Sequence, residues 1–261
     1  MVKIYSKSKK KIYDHIAHNE VTALVLGCDI QNLSLGVVLA QAGLNIVFHD
    51  TDAEIVNAIN AGRIHLEGRD SSSIGGNLIP YSCYVCEEPL MAKKGTFCPS
   101  CGRSYQQTPY GSVPSGSFEE SAFSDKTYVL SKEIRSLRKE EAIIATTDLA
   151  RALKKSDVVF ISKGYAVSPT GILDNTELID LCHAIAGSIS KEQVIVLTGP
   201  MVPGATEGMV KVIIDTESGY TAGIDYGLAY VYLRYNPSDP IGSIRFCPKV
   251  VSGVDQKSVD S

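Results

Sequence analysis

No apolar run in this 261-residue chain approaches the length needed to cross a bilayer, so no membrane span is expected. There is no excess of positive charge either. With 25 Lys and Arg against 29 Asp and Glu, the net charge of -4 argues against a general nucleic-acid binder, whose domain is usually basic. The first twenty residues carry a lysine cluster at Lys7–Lys11 but no apolar core, so they do not form a secretory signal. They are expected to be an N-terminal extension (1–20) with the lysines on a solvated tail, and the chain is expected in the cytoplasm.

What is present is α/β alternation. Val21–Leu26 is a short continuous apolar run, suited to a buried parallel strand. Ser34–Ala42 reads as a helix stopped by Gly43, Asn45–His49 as a strand, and Ala53–Ala61 as a helix. The pattern resumes with a helix at Lys132–Glu141, a strand at Ala142–Thr146, and a helix at Leu149–Lys154 capped by Asp148. A strand at Asp157–Ser162, a helix at Asn175–Ser188, a strand at Gln193–Thr198, a helix at Glu207–Thr216 and a strand at Gly227–Leu233 complete it. The expected fold is a Rossmann-like, doubly wound parallel sheet with helices on both faces, built from residues 21–66 and 126–261.

Residues 67–125 break the pattern and read as an insertion with Pro/Gly/Ser-rich flanks. Four of the seven cysteines lie in it. Cys83 and Cys86, then Cys98 and Cys101, form two C-x-x-C turns eleven residues apart, the spacing that delivers four thiolates to one tetrahedral zinc. A small zinc ribbon is therefore expected over 83–102. Four cysteines close the coordination sphere, so the zinc is expected to be structural, and with little positive charge nearby the module suits protein contact or local stapling.

The stretch VLGCDIQNLSLG, Val25–Gly36, has the form of a dinucleotide-binding strand–turn–helix, but the G-x-G-x-x-G pattern is broken. Gly27 occupies the first glycine position, Asp29 the second and Asn32 the third. Lys163, following the DVVFIS strand, is a candidate partner for the Asp29 carboxylate.

Several blocks of the chain occur in the order found in one family. LGCDIQNLSLGVVLAQAGLNIVFHDTDAEIVNAINAGR, ATTDLARALKKSDVVFISKG, VPGATE and GLAYVYLRYNPSDPIGSIRFCPKVVSGVD together resemble the N-terminal NAD-binding domain of the UDP-glucose/GDP-mannose dehydrogenase family. The resemblance covers Val21–Arg63 and Ala145–Asp255. It implies NAD-dependent oxidation of the C6 alcohol of a nucleotide sugar to a carboxylate through a cysteine thiohemiacetal. It also implies roles for Gly27 in the tight turn, for Asp50 on the adenine-ribose hydroxyls, and for Gly164 and Gly204 in site loops.

Other positions depart from the family pattern. Gly199–Pro200 replace a Ser-Thr pair, Leu233 a glutamate, and Tyr165 and Ala166 a threonine and a proline. The family's second half, with its nucleophilic cysteine and lysine, is expected to be missing after Ser261, and Cys182 and Cys247 stand in no setting suited to that nucleophile. His183, beside Cys182, reads as a core histidine. The expectation is a non-catalytic homologue that binds a nucleotide, a nucleotide sugar or a protein partner. The alternatives are an active dehydrogenase subunit completed by a separately encoded half, with an apolar patch over Arg245–Val254 as its mark, and a zinc-ribbon interaction module on an inert scaffold.

Overall fold

The computed structural model describes residues 2–64, 118–167, 173–236 and 239–261. A seven-stranded sheet is ordered β3-β2-β1-β4-β7-β8-β9. The strands are β1 (Thr22–Leu26), β2 (Asn45–His49), β3 (Ile143–Thr146), β4 (Val158–Ile161), β7 (Val194–Leu197), β8 (Gly227–Tyr232) and β9 (Val250–Gly253), while β5 (Ala166–Val167) and β6 (Leu173–Asp174) form a separate two-stranded ribbon. The first six are parallel in the doubly wound order, with the β1/β4 junction as the switch point. The expected all-parallel sheet needs one correction. β9 runs antiparallel to β8, pairing Tyr232 with Val250, and the helix Pro240–Phe246 lies in the connection between the two strands.

Burial on both faces explains the unbroken apolar runs. In β1, Ala23 and Val25 enter a core beneath the helices α2 (Ile30–Gln41) and α4 (Phe118–Lys139), and Leu24 and Leu26 enter the opposite core. Helices α5 (Leu149–Lys155), α6 (Thr176–Ala186) and α7 (Lys211–Ser218) cover that second face. Helix α3 (Ala53–Asn60) has Asp52 as its N-cap, its carboxylate accepting from Glu54 N at 2.8 Å. Asp148 caps α5 as expected, accepting from Arg151 N at 2.9 Å.

Helix α2 passes so near β2 that Gly36 is the only residue type that fits. A Cβ there would lie 2.6 Å from Phe48 Cε1, and Phe48 is fully buried and unable to yield. Gly36→Ala is therefore expected to destabilise by about 1–3 kcal/mol despite alanine's better helix propensity, measured as a fall in the urea midpoint.

The solvated-tail expectation for residues 1–20 is corrected as well. Ile4–Ser6 form a 3-10 turn and α1 spans Lys9–Ala17, with Ile4, Tyr5 and Ile12 buried in the first core. The lysines are the solvated part: Lys9, Lys10 and Lys11 face water, and Lys9 pairs with Asp260 at 2.7 Å. Helix α4 begins at Phe118, so it runs across the expected boundary at residue 125. At the C-terminal end, α8 (Pro240–Phe246) lies against α2 with Asp239 as N-cap, and α9 (Gln256–Asp260) closes the chain. Cys83, Cys86, Cys98 and Cys101 lie outside the described residues. Among the described residues, no helix is long and apolar enough to cross a membrane, and no cluster of metal-ligating side chains is present.

Candidate functional site

In an open α/β sheet, ligands bind beyond the carboxyl ends of the strands at the switch point. Gly27 leaves β1 there with φ +93°, and its N–H donates to the His49 carbonyl at 2.8 Å, tying the ends of β1 and β2 together. Asp29 then starts α2. Its Oδ1 accepts from Asn32 N at 2.8 Å, a side-chain cap on the helix N-terminus. Helix α2 thus starts four residues earlier than the sequence pattern suggests, because the acid at the second glycine position is its cap.

Asn32 stands in the first helical turn, almost fully buried, and its amide links three elements. Nδ2 donates to the Leu26 carbonyl at 3.1 Å, to Asp29 Oδ2 at 3.1 Å and to Ser162 Oγ at 2.7 Å. Its Oδ1 is buried and has no hydrogen-bond partner among the described residues. A Cβ on Gly27 would lie 3.0 Å from Asn32 Nδ2, so the close approach that the glycine permits is used by this amide.

Burial pushes the Asp29 carboxyl above the usual carboxylate range. The Asn32 N–H, the Lys163 charge and the Gln31 N–H oppose that shift, and the neighbouring Asp50 adds to it. The folded chain therefore holds this proton more tightly than the unfolded chain does. Stability from that source is present at low pH and lost as pH rises through the folded value. Relative to Asp29→Asn, the wild type should accordingly lose stability as pH rises above the usual carboxylate range of about 4, followed by urea unfolding of both proteins from acid to neutral pH.

Asp50 ends the same edge of β2 and is buried; its Oδ1 accepts from Asp52 N at 3.0 Å. The helix-capping role falls to Asp52, leaving Asp50 at the position that faces a ribose in this fold. Burial also pulls the His49 imidazole below its usual range, so it is neutral near pH 7.

Across the switch point, Lys163 does not pair with Asp29. Its Nζ lies 2.7 Å from Glu177 Oε2, in the first turn of α6, and its charge reaches Asp29 only through space. Gly164 packs directly on Pro200, where a Cβ would lie 2.8 Å from Pro200 N, and the Tyr165 N–H donates to the Pro200 carbonyl at 3.0 Å. Beyond β7, a π-helical turn at Thr206–Val210 precedes α7, and Asn175 Nδ2 contacts Met209 Sδ at 3.1 Å. Ser162, Glu177, Asn175 and Met209 were not anticipated from the sequence. Of these, Ser162 alone carried a signal, as a polar residue ending an apolar strand.

Leu233 and Cys182 are buried side chains. Leu233 is buried with Leu35 and Ile244 between α2 and α8. Cys182 is fully buried in the second core, and burial pushes its thiol up to about 12, in the direction of an inert structural cysteine. His183 departs from the core reading: it is exposed, with Nδ1 against Glu217 Oε1.

Comparison with known proteins agrees with this geometry. Residues 124–261 match the model of the UDP-glucose/GDP-mannose dehydrogenase family, NAD binding domain. Protein CapL of Staphylococcus aureus is 26% identical over 126 residues, which are 48% of this chain and 30% of CapL. GDP-mannose 6-dehydrogenase of Pseudomonas aeruginosa is 29% identical over 127 residues, 47% of this chain and 29% of that enzyme. Among solved structures, the ternary complex of GDP-mannose dehydrogenase from Pseudomonas aeruginosa superposes with a TM-score of 0.62 at 18% identity, over 90% of this chain and 42% of that one. NDP-N-acetyl-D-galactosaminuronic acid dehydrogenase from Methanosarcina mazei Go1 superposes at 0.64 with 19% identity, over 97% and 43%. The chain spans less than half the length of each of these proteins. With the family model matching more than half of its residues on a doubly wound sheet, the chain belongs to the UDP-glucose/GDP-mannose dehydrogenase family.

Proposed function

We propose that this chain is a non-catalytic member of its family, a Rossmann unit that holds a nucleotide-type ligand without turning it over. The observation that carries the reading is the Asp29 carboxylate on the α2 N-terminus. NAD would place its adenine ribose near Asp50, and Asp50 suits that diol. Its pyrophosphate would need the α2 N–H groups, and Asp29 already occupies Asn32 N. Where Asp29 is ionised, above its raised titration range, a phosphate about 4 Å away is repelled by about 4 kcal/mol at an effective dielectric near 20. The ribose half of the site fits NAD and the pyrophosphate half does not, so no hydride transfer is assigned to this chain. Leu233 supports the same reading, since an apolar side chain in the family's glutamate position cannot orient water or substrate. Purified protein should reduce no NAD with UDP-glucose or UDP-N-acetylmannosamine, and measurable turnover overturns the proposal.

A second reading, a dehydrogenase subunit completed by a separately encoded partner, is favoured by one surface. Tyr232, Phe246, Val250 and Val251 are exposed together along the β8–β9 edge and the end of α8, with Phe246 79% and Val250 72% accessible. On this reading, NAD-dependent oxidation occurs in an assembly isolated from native cells and is lost when Val250→Lys disrupts that edge.

The cysteine spacing supports a structural zinc on Cys83, Cys86, Cys98 and Cys101, and with it a protein-contact role for the insertion. Metal analysis is expected to find about one zinc per chain, and Cys98→Ser is expected to abolish it.

A further inference from the structure

Three acceptor side chains gather beyond the ends of β1 and β2: Asp29, Asp50 and Asn32. Asp29 is partly exposed, and an ionised carboxylate has about four lone-pair sites, of which the Asn32 N–H, the Asn32 amide and the Gln31 N–H take three and leave one for a ligand. Asp50 stands at the neighbouring strand end, near enough that the two carboxylates sense each other's charge. The buried Asn32 Oδ1 is a third acceptor at the same turn, with no donor among the described residues. Among the described residues, the cation whose charge reaches Asp29 is Lys163, and its Nζ lies 2.7 Å from Glu177 Oε2. Gly27, whose missing side chain would let backbone approach a pyrophosphate, is instead packed against the Asn32 amide. Once Asp29 is ionised, the turn therefore carries an internal anion where a dinucleotide would bring its own, and the Asn32 N–H that a second anion would use is already taken.

We propose that this crevice takes a nucleoside whose 5′ substituent is cationic or uncharged, and that it discriminates against nucleoside diphosphates and dinucleotides. The ribose diol is held by Asp50, and the donor-bearing 5′ group meets Asp29. The proposal rests on the nucleotide-binding reading above and narrows it to a ligand class. A 5′ ammonium gains from Asp29 the attraction that a phosphate would lose, and hydrogen bonds to an ionised acceptor are the stronger kind.

Calorimetry on the full chain with adenosine, 5′-amino-5′-deoxyadenosine, ADP and NAD tests it. The amine should bind tightest, adenosine next, and ADP and NAD at least about 100-fold more weakly than the amine, from the charge arithmetic at this distance. Asp29→Asn, which keeps a capping oxygen, should shrink the preference for the amine over ADP by at least about tenfold. The wild-type series decides the matter even if that variant folds poorly. If ADP or NAD binds as tightly as adenosine, the ligand-class inference fails while nucleotide binding stands. If none of the four binds, both fail.

Discussion

Asp157→Ala is expected to lower the free energy of unfolding by about 3–4 kcal/mol, read from urea denaturation. Asp157 is fully buried at the start of β4, and its carboxylate is filled by three backbone donors. Oδ1 accepts from Val2 N and from Lys3 N at 3.0 Å, and Oδ2 accepts from Thr22 N at 2.9 Å. Each hydrogen bond to a charged group contributes about 1.5–3 kcal/mol, but Val2 and Lys3 can regain water once released, so the sum is discounted. The same group anchors the N-terminal segment. Just beyond Lys3, Tyr5 is buried against Gly227, donates its hydroxyl to Asp255 Oδ2 at 3.0 Å and its N–H to the Glu192 carbonyl at 3.2 Å. Tyr5→Ala should cost about 3–5 kcal/mol alone. Because both changes release one segment, the double variant should cost clearly less than the sum. Additive losses, or a change below about 1 kcal/mol for Asp157→Ala, would remove the idea that Asp157 clamps the N-terminus.

This clamp also shows where the sequence was silent. Strands buried on both faces announce themselves, as TALVL and NIVFH do, because every position needs an apolar side chain. Asp157 looked like a strand boundary, and its three donors lie up to 155 residues away. Likewise KIYSKSKKKIYDHIA looks polar, because only Ile4, Tyr5 and Ile12 of its buried residues face the core. A short amphipathic segment pinned by long-range contacts has no local signature strong enough to distinguish it from a tail. Strand β9 was missed for a related reason: as an edge strand with both valines exposed, it has no buried face to give it a period.

At the site, residue type was legible and partnership was not. Gly27, Asp29, Asn32 and Asp50 do gather at one end of the sheet, as position relative to β1 and β2 requires. The bulk that Asn32 adds in place of glycine is absorbed by an amide reaching three acceptors at once. The expected Asp29–Lys163 pair did not form, because Glu177 on α6 offers Lys163 a carboxylate and nothing in the sequence shows that α6 begins beside it. The Asp29 carboxylate instead found backbone donors within its own turn, which the capping pattern of helices could have signalled.

The loops after β4 and β7 should be the least tolerant part of the candidate site. Gly164 and Gly199 lie in mutual backbone contact: a Cβ on Gly199 would lie 2.8 Å from the carbonyl carbon of Lys163, and one on Gly164 would lie 2.8 Å from Pro200 N. The obstructing atoms are backbone at the ends of two paired central strands, so neither side can move aside by a rotamer change. Gly199→Ala and Gly164→Ala are each expected to destabilise by about 3 kcal/mol or more by forcing these loops apart, and to weaken any ligand at the switch point. Once one methyl has separated the loops, the second has less to displace, so the double variant should fall short of additivity. Gly208, in the π-helical turn a few residues on, is the control, because a Cβ there meets nothing within 4 Å. Gly208→Ala should be neutral or stabilising by up to about 1 kcal/mol through the unfolded state. Equal losses at all three glycines in urea unfolding would mean that general backbone freedom, rather than the approach of these two loops, selects glycine here. On the close-approach account, the Gly199–Pro200 pair that replaces the family's Ser-Thr is what lets the β7 loop seat on Ser162–Gly164, in the same crevice where Asn32 holds Ser162.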